Sequence, residues 1–270
     1  MSVEELIIYA KHYIHSDLAK LLLANLLDLN SLELLNHLHD QVDNDIVLEY
    51  KKQVNLVKEK KPVQYVMGNV DFYGNIIDVN GYVLIPRFET EELVEKTIEY
   101  AKDLKEPIDI VDLGTGSGCI AIALKKNLNC NVDAVDISKK ALEQAKHNIK
   151  KHNLDINLIE GDMLKPLNKK YDIIISNPPY ISYDEEIMDI VKDNEPHIAL
   201  YAKDNGLFYY KEIIKNAKKY LKDKYVIAFE IGYTQGELLK KYAKLYFPND
   251  IIKVEKDMQE KDRFLFILNK

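Results

Sequence analysis

The spacing of apolar residues along the chain changes near residue 61. Up to about residue 60 they recur every three to four positions, the spacing of one buried helix face. Leu6, Ile7, Ala10, Tyr13 and Ile14 form such a stripe behind Ser2 and Glu5, which fit a capping box. A leucine-heavy segment, Leu18 to Leu29, starts after Asp17, and a short one begins at Ser31. Ile46, Val47, Tyr50, Val54 and Val57 mark a fourth face. The pattern predicts a small helical domain over residues 1–62.

From Lys61 the texture becomes β-branched and aromatic, with the turn dipeptides Gly74-Asn75 and Asn80-Gly81. Short strands or a hairpin are expected over residues 63–85, linking two domains. Pro86-Arg87-Phe88-Glu89-Thr90-Glu91-Glu92-Leu93 follows, with Thr90 as N-cap of a helix that buries Leu93, Val94, Ile98 and Ala101. Beyond it, short apolar runs alternate with helical stripes. Strands are expected at 108–113, 132–135, 156–159, 173–176, 225–231, 251–254 and 264–268, and helices at 119–126, 138–152, 207–221 and 234–245. Right-handed crossovers turn this alternation into an α/β domain over residues 86–270, with a mostly parallel seven-stranded sheet covered on both faces.

A hydrophobic content of 47% supplies ample core. The net charge of −7 speaks against a dedicated nucleic-acid binder, which needs a basic face. Lys58, Lys60 and Lys61, and the cluster Lys218, Lys219, Lys222 and Lys224, read as solvated helix ends. Cys119 and Cys130 form no metal or disulfide framework and the histidines add no zinc spacing, so reduced buried thiols and no metal site are expected. The start of the chain has no basic, apolar leader, and no apolar run approaches the ~18 residues of a spanning helix. A cytoplasmic protein without a membrane partner is expected.

The chemistry concentrates at four strand ends. Asp112-Leu113-Gly114-Thr115-Gly116-Ser117-Gly118 joins the first core strand to its helix. Glycines at alternate positions let backbone approach a ligand closely, and their spacing departs from the dinucleotide fingerprint. Asp136 ends the next strand 22 residues beyond Gly114, near the roughly 20 expected of a carboxylate holding ribose hydroxyls. Glu160-Gly161-Asp162-Met163 ends the third, placing Asp162 to accept from an adenine amino group and Met163 to cover the ring. Ser176-Asn177-Pro178-Pro179-Tyr180 ends the fourth. The prolines fix a rigid corner in which the Asn177 side-chain carbonyl and the Pro178 backbone carbonyl can take both hydrogens of an NH2 group, with Tyr180 as a flat packing face. That order suits an S-adenosylmethionine-dependent N-methyltransferase.

On these motifs the chain resembles the HemK/PrmC-type release factor glutamine N5-methyltransferases. The likeness runs through Pro62-Val63-Gln64-Tyr65 with Gly68, Pro86-Arg87 with Thr90-Glu91, the glycine turn, Ala134 to Ser138, and Asn177 to Ile181. It continues in Glu195-Pro196, Ala199-Leu200, Gly206-Leu207, Glu230-Ile231-Gly232, Gln235-Gly236, Lys256-Asp257 and Asp262-Arg263. It implies a helical N-terminal domain that helps hold the substrate, followed by a Rossmann-like catalytic domain. It implies S-adenosyl-L-methionine as cofactor and S-adenosyl-L-homocysteine as product. Gly114, Thr115, Gly116, Ser117, Gly118, Asp136, Asp162, Met163 and Asn177 are then expected to bind the cofactor. Asn177, Pro178, Pro179 and Tyr180 are expected to hold the glutamine of a release factor's Gly-Gly-Gln loop, with Asn177, Pro178 and Tyr180 carrying catalysis. Met163 stands where an aromatic residue is common, and Ala202-Lys203-Asp204-Asn205 replaces a glycine-richer loop.

Two rival functions share parts of this pattern. A nucleic-acid amino-group methyltransferase could use the same corner on an exocyclic amine, given base flipping and a phosphate-binding surface. The acidic balance makes nucleic acid an unlikely direct substrate. A non-catalytic adenosine-binding module would bind cofactor and leave Asn177 to Tyr180 without a role.

Overall fold

The computed structural model describes residues 1–269, the side chain of Ser31 excepted. Two compact units emerge, one of residues 1–70 with 187–194, the other of residues 71–186 with 195–270.

The first unit is helical: α1 (Val3–Lys11), α2 (Ser16–Leu26), α3 (Ser31–Asn36), α4 (Asn44–Lys58) and α5 (Val63–Met67). The capping box is present, Ser2 accepting from the Glu5 N–H and Glu5 from the Ser2 N–H. Leu6, Leu22, Leu23, Leu34, Tyr50 and Val54 are fully buried in its core, and the Tyr50 hydroxyl donates to the Ala19 carbonyl at 3.0 Å. Helix α5 corrects the strand expected from residue 63. Its β-branched residues sit between Pro62 and a left-handed Gly68 at φ +80°, and this Pro-before, Gly-after punctuation outweighs β propensity.

A hairpin follows, β1 (Asn69–Phe72) and β2 (Asn75–Asp78). Its turn is Tyr73-Gly74, both at positive φ, one position earlier than the dipeptide Gly74-Asn75 suggested. The second turn signal, Asn80-Gly81, leads into irregular chain. Then come α6 (Phe88–Ala101), β3 (Ile108–Leu113), α7 (Cys119–Asn127), β4 (Cys130–Asp136), α8 (Lys139–Lys151), β5 (Asn157–Glu160) and β6 (Tyr171–Ser176). A short α9 (Asp189–Asn194) belongs to the first unit, and a 3₁₀ turn covers His197–Ala199. Both are too short for a helical stripe and absent from the sequence expectation. The chain closes with α10 (Phe208–Asn216), β7 (Leu221–Glu230), α11 (Gly236–Tyr246), β8 (Ile251–Lys256) and β9 (Asp262–Leu268).

The sheet order is β5-β4-β3-β6-β7-β9-β8, parallel except for β9, which runs antiparallel to both neighbours. Chain order reverses between β3 and β6, so the crevice beyond their C-terminal ends is the switch point where open α/β sheets bind ligands. Strand β6 is buried along its whole length, which is why it reads as a continuous apolar run. Strand β7 begins at Leu221, four residues before the expected start, so Lys222 is a strand residue. Its ammonium bridges Asp109 (2.5 Å) and Asp172 (2.7 Å), a charge pattern mistaken in the sequence for a solvated helix end. Cys119 and Cys130 are free and buried, and burial pushes the Cys119 thiol up to about 12. Among the described residues no helix is long and apolar enough to cross a membrane.

Candidate active site

Strand register sets the site. Leu113 pairs with both Val135 and Ser176, Asp136 with Glu160, and Ser176 with Phe229. The residues that leave the sheet next to one another are therefore Gly114, Asp136, Gly161, Asn177 and Glu230. One pocket is lined by Gly114, Gly116, Asp136, Asp162, Met163, Asn177 and Pro179 among the sequence candidates. Thr115, Ser117, Gly118, Pro178 and Tyr180 stand outside that lining. Ile137, inside the Ala134 to Ser138 motif but given no role there, lines it as well, together with Tyr82, Leu84, Ile198 and Tyr209, which belong to no motif that sequence reading could have used.

The glycine turn is held from two sides. The Gly114 and Thr115 N–H groups donate to the Val135 carbonyl, and the Gly116 N–H donates to Asp136 Oδ2 at 2.8 Å. A Cβ on Gly116 would meet no atom within 4 Å and one on Gly114 only Met163 Cε at 3.9 Å, so the glycines leave open space over the turn; both hold positive φ, +55° and +73°. Asn148, fully buried on α8, donates to the Ser117 and Asp78 carbonyls and accepts from the Asp78 N–H, tying the turn to the hairpin.

Two carboxylates sit under this turn. Asp136 Oδ1 accepts from the Ser138 N–H at 2.8 Å, and Ser138 itself caps α8 through the Ala141 N–H. Asp136 thus shapes the turn while lining the pocket, and burial raises its carboxyl above the usual range. Asp112, within β3, is wholly buried. Its Oδ2 accepts from the Thr115 hydroxyl at 2.6 Å, and its Oδ1 has no partner among the described residues. Burial, with the Asp136 charge adding, pushes it up to about 7. At the third strand end, Asp162 Oδ2 pairs with Lys165 at 2.5 Å, and Met163 takes a left-handed φ of +48°.

The proline corner is fastened by its surroundings. Gln235 donates to the Tyr180 carbonyl at 3.0 Å while its own carbonyl accepts from the Gly232 N–H. Gly206 presses on the same carbonyl: a Cβ there would lie 2.0 Å from it, and φ is +81°. Asp204 and Asn205 are also left-handed, so the loop that lacks the family's glycines uses residues that tolerate αL. The Ile181 N–H donates to Leu200, and Ala202 donates back to Ile181.

Asn177 lines the pocket and donates from Nδ2 to the Thr90 hydroxyl at 3.1 Å. Thr90 is not the N-cap of α6; Arg87 holds that position, and Thr90 sits one turn in, 3% exposed. Its hydroxyl donates instead to Glu230 Oε2 at 2.6 Å. The Tyr180 hydroxyl approaches Glu230 Oε1 at 3.4 Å. Arg263, bound to Asp257 and the Ile231 carbonyl, supplies positive charge beside Glu230 and Tyr180, and Arg87 pairs with the buried Glu195. Burial nevertheless dominates Glu230 and pushes it up to about 7. Thr90 and Glu230 are site residues that the motifs contained without revealing their roles.

A family model described as the PrmC N-terminal domain matches residues 14–68, and one described as the methyltransferase small domain matches residues 90–194. The chain is 43% identical over 210 residues to the release factor glutamine methyltransferase of Streptococcus pneumoniae, covering 77% of this chain and 75% of that one. It is 40% identical over 247 residues to the protein of that name from Bacillus subtilis, covering 87% and 85%. The fold also matches the crystal structure of a methyltransferase from Pyrococcus furiosus, with a TM-score of 0.55 at 18% identity over 72% of this chain and 89% of that one. The Rossmann-like α/β fold with a helical N-terminal region agrees with the sequence reading, and the chain belongs to the release factor glutamine methyltransferase family.

Proposed function

We propose that this protein transfers a methyl group from S-adenosyl-L-methionine to the side-chain amide nitrogen of the glutamine in the Gly-Gly-Gln motif of peptide chain release factors, modulating translation termination in the cytoplasm. One observation carries the reading. Asn177 gives its NH2 to Thr90, which leaves its carbonyl oxygen out of that bond, and Asn177 lines a pocket together with Gly116 and Asp136. An acceptor there suits an incoming amide N–H.

The residues fit the cofactor. Gly114 and Gly116 leave a cradle that any Cβ would begin to fill, Asp136 stands at the strand end that ribose hydroxyls require, and Asp162 and Met163 flank the adenine position. The Asp136 charge disfavours ionisation of Asp112, and a cationic group over the turn offsets that repulsion. When bound, the cofactor supplies a methyl group on a sulfonium, already attached to a good leaving group.

What remains for the protein is alignment, bringing the amide nitrogen within about 3–3.5 Å of the methyl carbon. Asn177 Oδ1 accepts one amide hydrogen and the Pro178 carbonyl the other, which orients the nitrogen. Both bonds strengthen as positive charge develops on it, and once the new N–C bond has formed the nitrogen sheds one of its two hydrogens as a proton to solvent. Pro179 walls the pocket, and Tyr180, its hydroxyl turned to Glu230, keeps the corner seated. Residues 1–62 serve as the domain that helps hold the release factor, residues 63–85 as the linker and residues 86–270 as the catalytic domain.

The test is transfer of labelled methyl from the cofactor to a release factor, to its Gln→Asn version, and to DNA or RNA. Label on the unaltered factor alone is expected. Label on nucleic acid and none on the factor would reverse the assignment.

A further inference from the structure

We infer that Glu230 and Thr90 are positioning residues which, through a buried two-bond relay, set which end of the Asn177 amide faces the pocket. The inference rests on the proposed transfer to an amide, and it concerns residues that never touch the reacting atoms.

The relay has a direction. Threonine has one hydroxyl hydrogen. With Glu230 ionised, that hydrogen goes to Oε2 at 2.6 Å, and the Thr90 oxygen is left as an acceptor. It then takes a hydrogen from Asn177 Nδ2 at 3.1 Å, so Oδ1 points the other way. An amide that presents oxygen can receive a substrate N–H; one that presents NH2 cannot. Thr90 is 3% and Glu230 2% exposed, so water cannot readily substitute for either bond. Strand register places Glu230 there: Ser176 pairs with Phe229, which brings the next residues on each strand, Asn177 and Glu230, level with one another.

Protonation reverses the relay. A neutral Glu230 carboxyl can donate to the Thr90 oxygen, which frees the Thr90 hydrogen for Asn177 Oδ1 and turns NH2 toward the substrate. The groups around Glu230 are Thr90 and Glu89 on α6, the Tyr180 hydroxyl on the corner, and Arg263 on β9, while the Tyr210 hydroxyl on α10 donates to the Glu230 carbonyl at 2.7 Å. Burial and Glu89 favour the neutral acid, Thr90, Arg263 and Tyr180 the ion, and the balance lies at about 7. The productive orientation is therefore the high-pH one.

The experiment compares wild type, Thr90→Val and Thr90→Ser. The Asn177 side-chain amide resonance, identified by its loss in Asn177→Asp, is followed from pH 5.5 to 8.5 without substrate, and kcat is measured at saturating cofactor over the same range. In wild type the resonance is expected to titrate near pH 7, with kcat falling on the acid side. Val keeps the shape of Thr90 and removes the hydroxyl, so the titration of the Asn177 resonance and the acid limb should both vanish, and kcat at pH 8 should fall about tenfold, the worth of one orienting hydrogen bond. Ser should restore all three. Persistence of the wild-type titration in Thr90→Val would overturn the inference whether or not the substrate is correctly assigned. An NMR titration that behaves as expected in a protein unable to methylate a release factor would support the relay and overturn the proposed function alone.

Discussion

The buried carboxyl of Asp112, one oxygen bound by the Thr115 hydroxyl and the other without a partner among the described residues, makes stability depend on pH in a direction opposite to that of a paired surface carboxylate. In the folded chain it keeps its proton to about pH 7, against an ordinary value of 3.8 in the unfolded chain. Below pH 3.8 both states are protonated and the group is neutral in its effect. Between the two values the unfolded chain has released a proton that the folded one retains, so stability falls as pH rises. Above pH 7 the full penalty of an ionised buried Asp112 is present. A gap of about three pH units corresponds to at most about 4 kcal/mol, at 1.36 kcal/mol per unit. Asp112→Asn keeps an oxygen for the Thr115 hydroxyl and removes the charge. Urea unfolding of the cofactor-free wild type and variant at pH 4.5, 6 and 8 should therefore give curves that diverge by about 2–4 kcal/mol in favour of the variant as pH rises. A constant difference between the two proteins at all three pH values would refute the reasoning, whatever fixed offset the new NH2 group introduces.

Three further substitutions test other parts of the site. Asn177→Ala should retain the wild-type Tm and lower kcat about 10²–10³-fold, since the contact it loses strengthens as charge develops on the nitrogen; steady-state kinetics with thermal melting checks both. Gly206→Ala combines a left-handed φ of +81° with a Cβ 2.0 Å from the Tyr180 carbonyl. It should lower stability by about 2 kcal/mol or more, measured by urea unfolding, and reduce methyl transfer by moving the corner. Asp136→Ala should weaken cofactor binding in calorimetry and loosen the glycine turn, because the carboxylate holds the Gly116 N–H as well as facing the pocket.

Where local pattern governs structure, the sequence was sufficient. The apolar run ending at Ser176, the glycine turn after Leu113 and the Ser2 capping box depend on residues close in the chain, and each formed where expected. The errors arose where local signals competed. Residues 63–67 carry β-branched side chains, yet Pro62 and Gly68 frame a turn of helix. Thr90 has the chemistry of an N-cap but spends its hydroxyl on Glu230, 140 positions away. Lys222 has the look of a helix end but answers Asp109 and Asp172 on neighbouring strands. The site shows the same division. The four strand ends were legible because each is punctuated by glycine, aspartate or proline. The Thr90–Glu230 relay, the Gln235 clamp and the orphaned Asp112 oxygen were not, because each arises from sheet register and from contacts between distant segments.

The most direct test of the account is a crystal structure with S-adenosyl-L-homocysteine and a peptide containing Gly-Gly-Gln. The product should lie over Gly114 and Gly116 beside Asp136, with the glutamine amide nitrogen at about 3 Å from both Asn177 Oδ1 and the Pro178 carbonyl oxygen. A glutamine seated away from these two oxygens, or a product bound outside the strand ends that carry Gly114 and Asp136, would contradict it.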